Sequence, residues 1–427
     1  GKAAGTENGG PELSIVYYEH SKKTVEAAID KYLSENPSVS IKKEMVERKE
    51  GVISETEKAI NEIMTRTLAG EGPDIIIELS YFKVVKNYRT LNSGVYCDLN
   101  ELIKNDADFK LEDYYQSVLD TGVVNGKRYI MPLVFDVHGF LTTKEILEEN
   151  NVDIDQSNWN WSRFIETARE FIQRNKGKDK YFLNTTFDWY ADYNVLKYYI
   201  ASQVDYTENK PNFKSEEFKT ILQDLKEISS TIYPAEKDKG YAYSSFSYIK
   251  DRKAVLAFED FSDISNMRQL SALYDDFKKK LNQELIVVPF PPIRENSGYP
   301  FSITTTAGIT STCKYKKEAF DLIKTFLSPE ISGNLTYNYS GLPVSKEGYE
   351  KVTRGELPAQ YGGGYPHPEA ALLEIDKMVE NLGKGVFYDK QLNSIVYNHY
   401  VDYRDGRATL EEALKKMDDD TYFYLNE

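Results

Sequence analysis

Two residues invite a chemical reading before any other. In YIMPLVFDVHGFL, spanning 129–141, Asp136 and His138 interrupt an apolar run two positions apart. Alternation along a single strand puts both side chains on one face. An acid–base pair and a metal site are both compatible with that spacing. A glycosidase-type carboxylate pair is a further possibility, Asp136 with Glu259 or Asp260, but 68 acidic residues make chance pairs easy to nominate. Other signatures of chemistry fail. There is no GxxxxGK[ST] loop, no GxSxG elbow and no HExxH helix. The four histidines, at 20, 138, 367 and 399, show no metal-ligand spacing. DADFKLED and KKMDDDT lack the glycine and spacing of a calcium loop. The glycine clusters AGEGPD and YGGGYP read as turns. No catalytic residue, cofactor or metal site is expected, and the chain is not expected to be an enzyme.

The elements that must position these residues alternate in type. ELSIVYY is strand-like, and Val25, Ala28, Ile29, Tyr32 and Leu33 follow at helical spacing up to Asn36-Pro37. VSIKKEMV is a second strand. Ser54 and Glu57 form a capping-box pattern ahead of Ile60, Ile63, Met64 and Leu68. DIIIEL is apolar enough to be central in a sheet. This order predicts an α/β fold with mainly parallel sheets. Asn125-Gly126 between apolar runs predicts a hairpin. Trp161, Phe164, Ile165, Ala168, Phe171 and Ile172 mark one amphipathic helix. Ala319, Phe320, Ile323, Phe326 and Leu327 mark another, stopped at Pro329. Thr409 and Glu412 are a second capping box.

Composition narrows the class. At 427 residues two domains are expected. Lys and Arg total 53 against 68 Asp and Glu, a net charge of -15, which excludes a nucleic-acid footprint. The 33 tyrosines offer rings with hydrogen-bonding tips, suited to amphipathic ligands. Cys97 and Cys313 make no disulfide framework and read as free thiols. No run approaches the ~18 apolar residues of a membrane span. The start, GKAAGTENGGPE, reads as a disordered leader, left by trimming or by removal of a targeting peptide.

Taken in order, the pieces resemble the extracellular solute-binding proteins of ABC importers, in the large group that includes maltodextrin- and oligosaccharide-binding proteins. The resemblance runs through YLSENPSVSIKKEMV, LAGEGPDIIIEL, DLNELIKND, NGKRYIMPLVFDVHGFLTTKEIL and NWNWSRFIETAREF. It continues through YSSFSYIKDRKAVLAFEDF, where Asp251-Arg252-Lys253 replaces a usual Gly-Lys. AGITSTCKYKKEAFDLIKTFLSPEISGN, SGLPVSKEGYEK and RDGRATLEEALKKM complete it. Each segment is weak alone; their order and spacing are specific.

The resemblance implies a type II periplasmic-binding-protein-like fold, two lobes with ligand held in a cleft and captured by closure. It implies a leader at 1–12, a first lobe of 13–134 plus 262–309, and a second of 135–261 plus 310–427. Chain crossings are expected near 133–136, 257–261 and 309–313. Loops at the carboxyl ends of strands then supply ligand contacts: Glu19 and His20, Ser80 and Tyr81, Asp136, Trp189, Glu259, Asp260 and Phe261, and Tyr339. Ser21, Phe82, Asp188 and Tyr337 lie in the same segments. His138 and His20 also suit a structural role. Trp189 is the stacking candidate, in a segment read as loop-like, while Trp161 reads as core.

The expected activity is capture of a mono- or oligosaccharide for delivery to permease subunits. The protein is expected to be a monomer at the extracellular face of the membrane, held by a lipid on an N-terminal Cys that is not in this sequence. The alternatives are a binding protein for a cationic solute or metal chelate, for which Tyr114-Tyr115 and Tyr198-Tyr199 are notable, a secreted carbohydrate-active enzyme, or a surface adhesin.

Overall fold

The structure is a computed structural model that describes residues 9–48, 53–238, 244–262, 264–334, 336–337, 341–355 and 369–427. Within these, the side chains of 53, 188–191, 264–269, 271 and 369–370 lie outside the description. The chain forms two compact α/β units. The first takes 1–136, 262–268 and 301–367, and the second 137–261, 269–300 and 368–427.

A six-stranded sheet organises the first unit, in the order Leu342–Pro343, Met131–Asp136, Ser302–Ile309, Ile75–Leu79, Glu12–Tyr18, Ser40–Val46. Glu12–Tyr18 pairs in parallel with Ser40–Val46 on one side and Ile75–Leu79 on the other. Ile75–Leu79 is buried along its whole length, as its unbroken apolar run requires of an interior strand. Ser302–Ile309 runs antiparallel between Ile75–Leu79 and Met131–Asp136. Asp136, Leu79 and Tyr18 therefore end strands that point the same way. Helix Lys22–Glu35 buries Val25, Ala28, Ile29 and Tyr32, and packs on helix Lys316–Leu327. Pro329 stops the latter and opens a new short helix, Pro329–Ser332, since a missing N–H costs nothing in a first turn. Asn125 and Gly126 both take positive φ, closing the expected hairpin between Val123–Val124 and Lys127–Arg128. Ser54 stands inside helix Ile53–Leu68 instead of capping it.

The second unit has a three-stranded sheet with His138–Thr143 at its centre, flanked by Ala257–Asp260 and Leu285–Pro289. Both ladders are antiparallel. The expectation of mainly parallel strands is thus corrected here: the chain returns to this sheet from long excursions, and crossover direction cannot be read from apolar runs. Parallel pairing survives only as single bridges among the described residues, from Leu183 to Ile232 and Leu256 and from Tyr299 to Leu382. The core is aromatic. Phe140 has the rings of Phe164, Phe290, Phe258 and Phe187 at 5.5, 5.7, 6.0 and 6.3 Å. Helix Trp161–Arg174 turns its predicted apolar face to this core, and Asn160 caps it by accepting from the Arg163 N–H. Trp161 is buried and donates to Asp224 at 3.0 Å. Farther along, the Thr409–Glu412 capping box forms as the sequence indicates.

The first unit keeps Phe135 and Asp136, and its boundaries differ from the expected lobes in two longer segments. Residues 269–300 belong to the second unit because Leu285–Pro289 pairs with His138–Thr143. Residues 310–367 stay in the first, because helix Lys316–Leu327 packs on Lys22–Glu35 and Leu342–Pro343 pairs with Met131–Asp136.

Candidate functional site

Val137 separates the two residues of the opening motif. Asp136 ends one strand, opposite Ser302 in the first unit's sheet. His138 begins another, opposite Asp260 in the second unit's sheet. They do not share a strand, so alternation does not place them on one face. The single-strand reading is corrected: the chain changes sheet between them.

In the first unit the aligned strand ends carry half of the residues expected to contact ligand: Glu19, His20, Ser80, Tyr81 and Asp136. Beyond Tyr18, a short 3-10 turn of Glu19–Ser21 leads into helix Lys22–Glu35. Glu19 is exposed and accepts from the Arg48 N–H at 2.8 Å. Beyond Leu79, Ser80 and Tyr81 form a tight reversal closed by reciprocal backbone bonds between Leu79 and Phe82 at 3.0 and 3.1 Å. Ser80 is exposed, and Tyr81 keeps 49% of its surface exposed. The Tyr81 ring meets Tyr18 edge-on at 5.6 Å and His20 at 5.9 Å, while Phe82, buried, stacks on Tyr18 at 5.3 Å. A half-open ring is thus held upright by rings beneath and beside it.

A residue that pattern reading passed over fixes this turn. Glu78 is buried, and its carboxylate accepts from the backbone N–H of Val84 at 2.6 Å and Val85 at 3.1 Å. Its other oxygen accepts from the Tyr96 hydroxyl at 2.5 Å. Burial holds the Glu78 pKa above the usual carboxylate range, against the opposing pull of Lys83 and these hydrogen bonds. Tyr96 reaches it by lying over Gly308, where any Cβ would fall 2.6 Å from the ring. The available signal was a lone acid in the otherwise apolar DIIIEL.

The same unit holds an open pocket. Val25, Ile77, Leu79, Leu133, Val134 and Phe326 supply its apolar lining. His20, Ser21, Thr24, Thr305, Ser332 and Tyr337 supply its polar lining. The Thr24 hydroxyl donates to the Tyr337 carbonyl, tying the helix to the segment that follows Ser332. Asp136 is buried at its strand end; a Cβ on Gly341 would fall 2.9 Å from the Val134 Cβ, closer than real side chains come, and 3.1 Å from Asp136 Oδ1. Tyr339, expected beside Tyr337, lies outside the described residues.

The second unit gathers acids around an imidazole. His138 lies flat on Phe258, 5.3 Å between ring centres and 9° between planes. Its Nε2 is 4.0 Å from Asp260 Oδ2, beyond hydrogen-bond range. Burial pushes the His138 pKa down, Asp260 opposes this, and Lys197 adds to it. Glu259 accepts from the Ser245 hydroxyl and from the Asp260 N–H. Asp260 is about one third exposed. Phe261 is buried, its ring packed where a Cβ on residue 139 would otherwise sit 2.7 Å away, which makes Gly139 necessary. Asp188 and Trp189 fall within helix Thr186–Ile200, not a loop, and their side chains lie outside the described residues. So do Tyr361, Tyr365 and His367. Among the described residues no group of three or more His, Cys, Asp or Glu is placed to hold a metal ion, and no helix is long and apolar enough to cross a membrane.

Residues 21–332 match the family model for bacterial extracellular solute-binding proteins. The chain belongs to that family. The fold of this solute-binding protein is the two-lobed periplasmic-binding-protein-like one. It is similar to that of the sugar-binding protein MalE from Xanthomonas citri, at 13% identity, 97% coverage of both chains and a TM-score of 0.71. It is also similar to a periplasmic oligogalacturonide-binding protein from Yersinia enterocolitica, at 15% identity, 97% and 99% coverage and a TM-score of 0.66. A third similar structure is an ABC substrate-binding protein from Listeria monocytogenes in complex with cycloalternan, at 15% identity, 98% and 99% coverage and a TM-score of 0.59. No curated protein matches the sequence.

Proposed function

We propose that this solute-binding protein captures a carbohydrate and delivers it to the permease of an ABC importer, without chemical turnover. The observation that carries this is the carboxyl edge of the first unit's sheet, where the half-exposed Tyr81 ring stands beside His20 in a unit whose pocket is lined by hydroxyl side chains. Sugars present C–H faces to such rings and hydroxyls to such polar groups. Asp136, at a strand end of the same unit, is a charged acceptor for a further hydroxyl, and charge-assisted hydrogen bonds are the stronger kind. The names of similar structures, which include a sugar-binding protein, an oligogalacturonide-binding protein and a cycloalternan complex, agree with this class.

The tyrosine pairs do not favour a metal chelate. Tyr114 stacks on Phe109 at 4.9 Å, Tyr115 packs against Phe135 and Tyr349, and the Tyr199 hydroxyl donates to the Ile293 carbonyl. We place the protein outside the cell, anchored by an N-terminal lipid. Mass spectrometry of the native protein showing no diacylglyceryl cysteine rejects the anchor. The function itself is tested by thermal shift across mono- and oligosaccharides, polyamines and metals, since ligand binding to the native state raises the melting midpoint. Stabilisation by saccharides without product formation is the expected result. A response confined to polyamines or metals, or turnover of a responding glycan, overturns it.

A further inference from the structure

The first unit's sheet ends in an open strand. Ser40–Val46 is last in the strand order and pairs with Glu12–Tyr18 on its inner side. That pairing runs unbroken along the whole strand, with no register shift. None of the strand's residues is buried, and Lys42 and Lys43 are exposed. Among the described residues, no segment hydrogen-bonds to its outer side. Open strands are commonly blunted by short length, a bulge, a proline, a covering loop or charge. SIKKEMV has no proline, no bulge and no cover among the described residues. The pattern of its charges therefore decides whether this strand repels a partner or accepts one.

The pattern is complementary to itself. In an antiparallel pair, residues whose backbone groups point outward must oppose each other, so a strand meeting its own copy has the two-fold axis at a residue. With the axis at Lys43 the whole strand is paired: Ser40 faces Val46, Ile41 faces Met45 and Lys42 faces Glu44, each twice. An axis at Lys42 sets that lysine against itself, and an axis at Glu44 does the same to the acid. The central register joins opposite charges twice, at the cost of one like pair, Lys43 with Lys43. Glu26 of the same chain stands 4.0 Å from Lys43 and draws that charge off the axis. Lys42 has no ionic partner among the described residues. Glu44 holds Arg66 through Oε1 at 2.6 Å, which leaves Oε2 to accept from an ammonium. Ile41 and Met45 share a face with Lys43, so apolar contact flanks the axis there while the ion pairs form on the other face.

We propose that Ser40–Val46 is a self-association surface. It receives the same strand of a second copy, antiparallel and in the register centred on Lys43, and the two six-stranded sheets continue as one. This stands apart from the carbohydrate reading and departs from the monomer expected above. A ladder of this length buries less than the ~1,200 Å² of a standard interface. The net charge of -15 on each copy also opposes approach. The dimer is therefore weak, with a Kd on the order of 10–100 µM.

The test is sedimentation velocity of the full chain from about 1 µM to about 1 mM, read with amide exchange over residues 40–46. The wild type moves from monomer to dimer across that range, and exchange in the strand slows as concentration rises. Lys42→Glu brings like charges together in both pairs, and so does Glu44→Lys. Each variant alone weakens association at least about tenfold. An equimolar mixture of the two restores it, because both pairs across the axis are then opposite in sign. A wild type that stays monomeric to about 1 mM overturns the proposal. So does a dimer that Lys42→Glu leaves intact, which places the contact on another face, or a mixture that associates no better than its components. If Glu44→Lys fails to fold without its Arg66 contact, Lys42→Glu and the exchange in the strand decide.

Discussion

The two sheets present their functional edges in opposite ways. In the first unit, hydroxyl, imidazole and apolar side chains line an open pocket, and the Tyr81 ring stands half exposed beside His20. In the second, acids and an imidazole are folded into one another and backed by a cluster of phenylalanines. The second already satisfies part of its own polarity, leaving Asp260 as the more open acid.

If that contrast is real, damage to the backing of the second edge is felt in stability. Phe140→Ala removes the ring around which Phe164, Phe187, Phe258 and Phe290 are arranged. The expected cost is about 3–5 kcal/mol, read by urea unfolding. A cost under about 1 kcal/mol would mean that the acids are not supported by this cluster. On the first edge the support is polar. Tyr96→Phe leaves the buried Glu78 carboxylate without one donor, at about 1–3 kcal/mol. The Ser80–Tyr81 reversal should also loosen, visible as faster amide exchange at Val84 and Val85, which Glu78 restrains. Unchanged exchange would show that Glu78 does not fix the turn.

Tyr81→Ala separates binding from folding. Half of the ring is already in water, so stability should change by under about 0.5 kcal/mol. Loss of a stacking surface should weaken a bound saccharide by about tenfold, close to 1.4 kcal/mol. A folded Tyr81→Ala variant with full saccharide affinity removes the aromatic half of the contrast.

Much of the architecture was legible because it follows from local rules. The apolar stripe of Trp161–Arg174, the Asn125-Gly126 hairpin and the Thr409–Glu412 capping box each depend on neighbours within one or two turns. What could not be read depends on long-range return. Leu285–Pro289 joins the second unit's sheet antiparallel to His138–Thr143, more than a hundred residues away, and nothing local encodes that direction. The same limit governed the site. Asp136 and His138 looked like one face of one strand, because a strand that stops and a strand that starts share the same apolar signature on either side of Val137. The residues at strand ends were nominated from the general rule for α/β sheets, whereas Glu78 was missed because its role is set by Tyr96 and by a loop it faces only after folding.

The smallest expected effect tests whether the second edge is as closed as it looks. Burial puts the folded-state pKa of His138 below its ordinary value, about 6.5. Between the two values the unfolded chain binds a proton that the native protein does not, so stability rises with pH across that window. The contribution of neutral His138 is fully present above about pH 6.5 and is lost as pH falls towards the depressed folded value. The groups that set it are Asp260, which favours the imidazolium, and Lys197, which opposes it. His138→Phe keeps a ring to stack on Phe258 but cannot titrate. Between pH 7.5 and 5.5 the wild type should therefore lose more stability than His138→Phe, by at most about 1.4 kcal/mol per pH unit inside the window. Asp260→Asn should steepen the loss, because the imidazolium then forfeits its nearest carboxylate and its pKa falls further. Equal pH dependence in wild type and His138→Phe would show that the imidazole exchanges with water freely, and that the second edge is open as well.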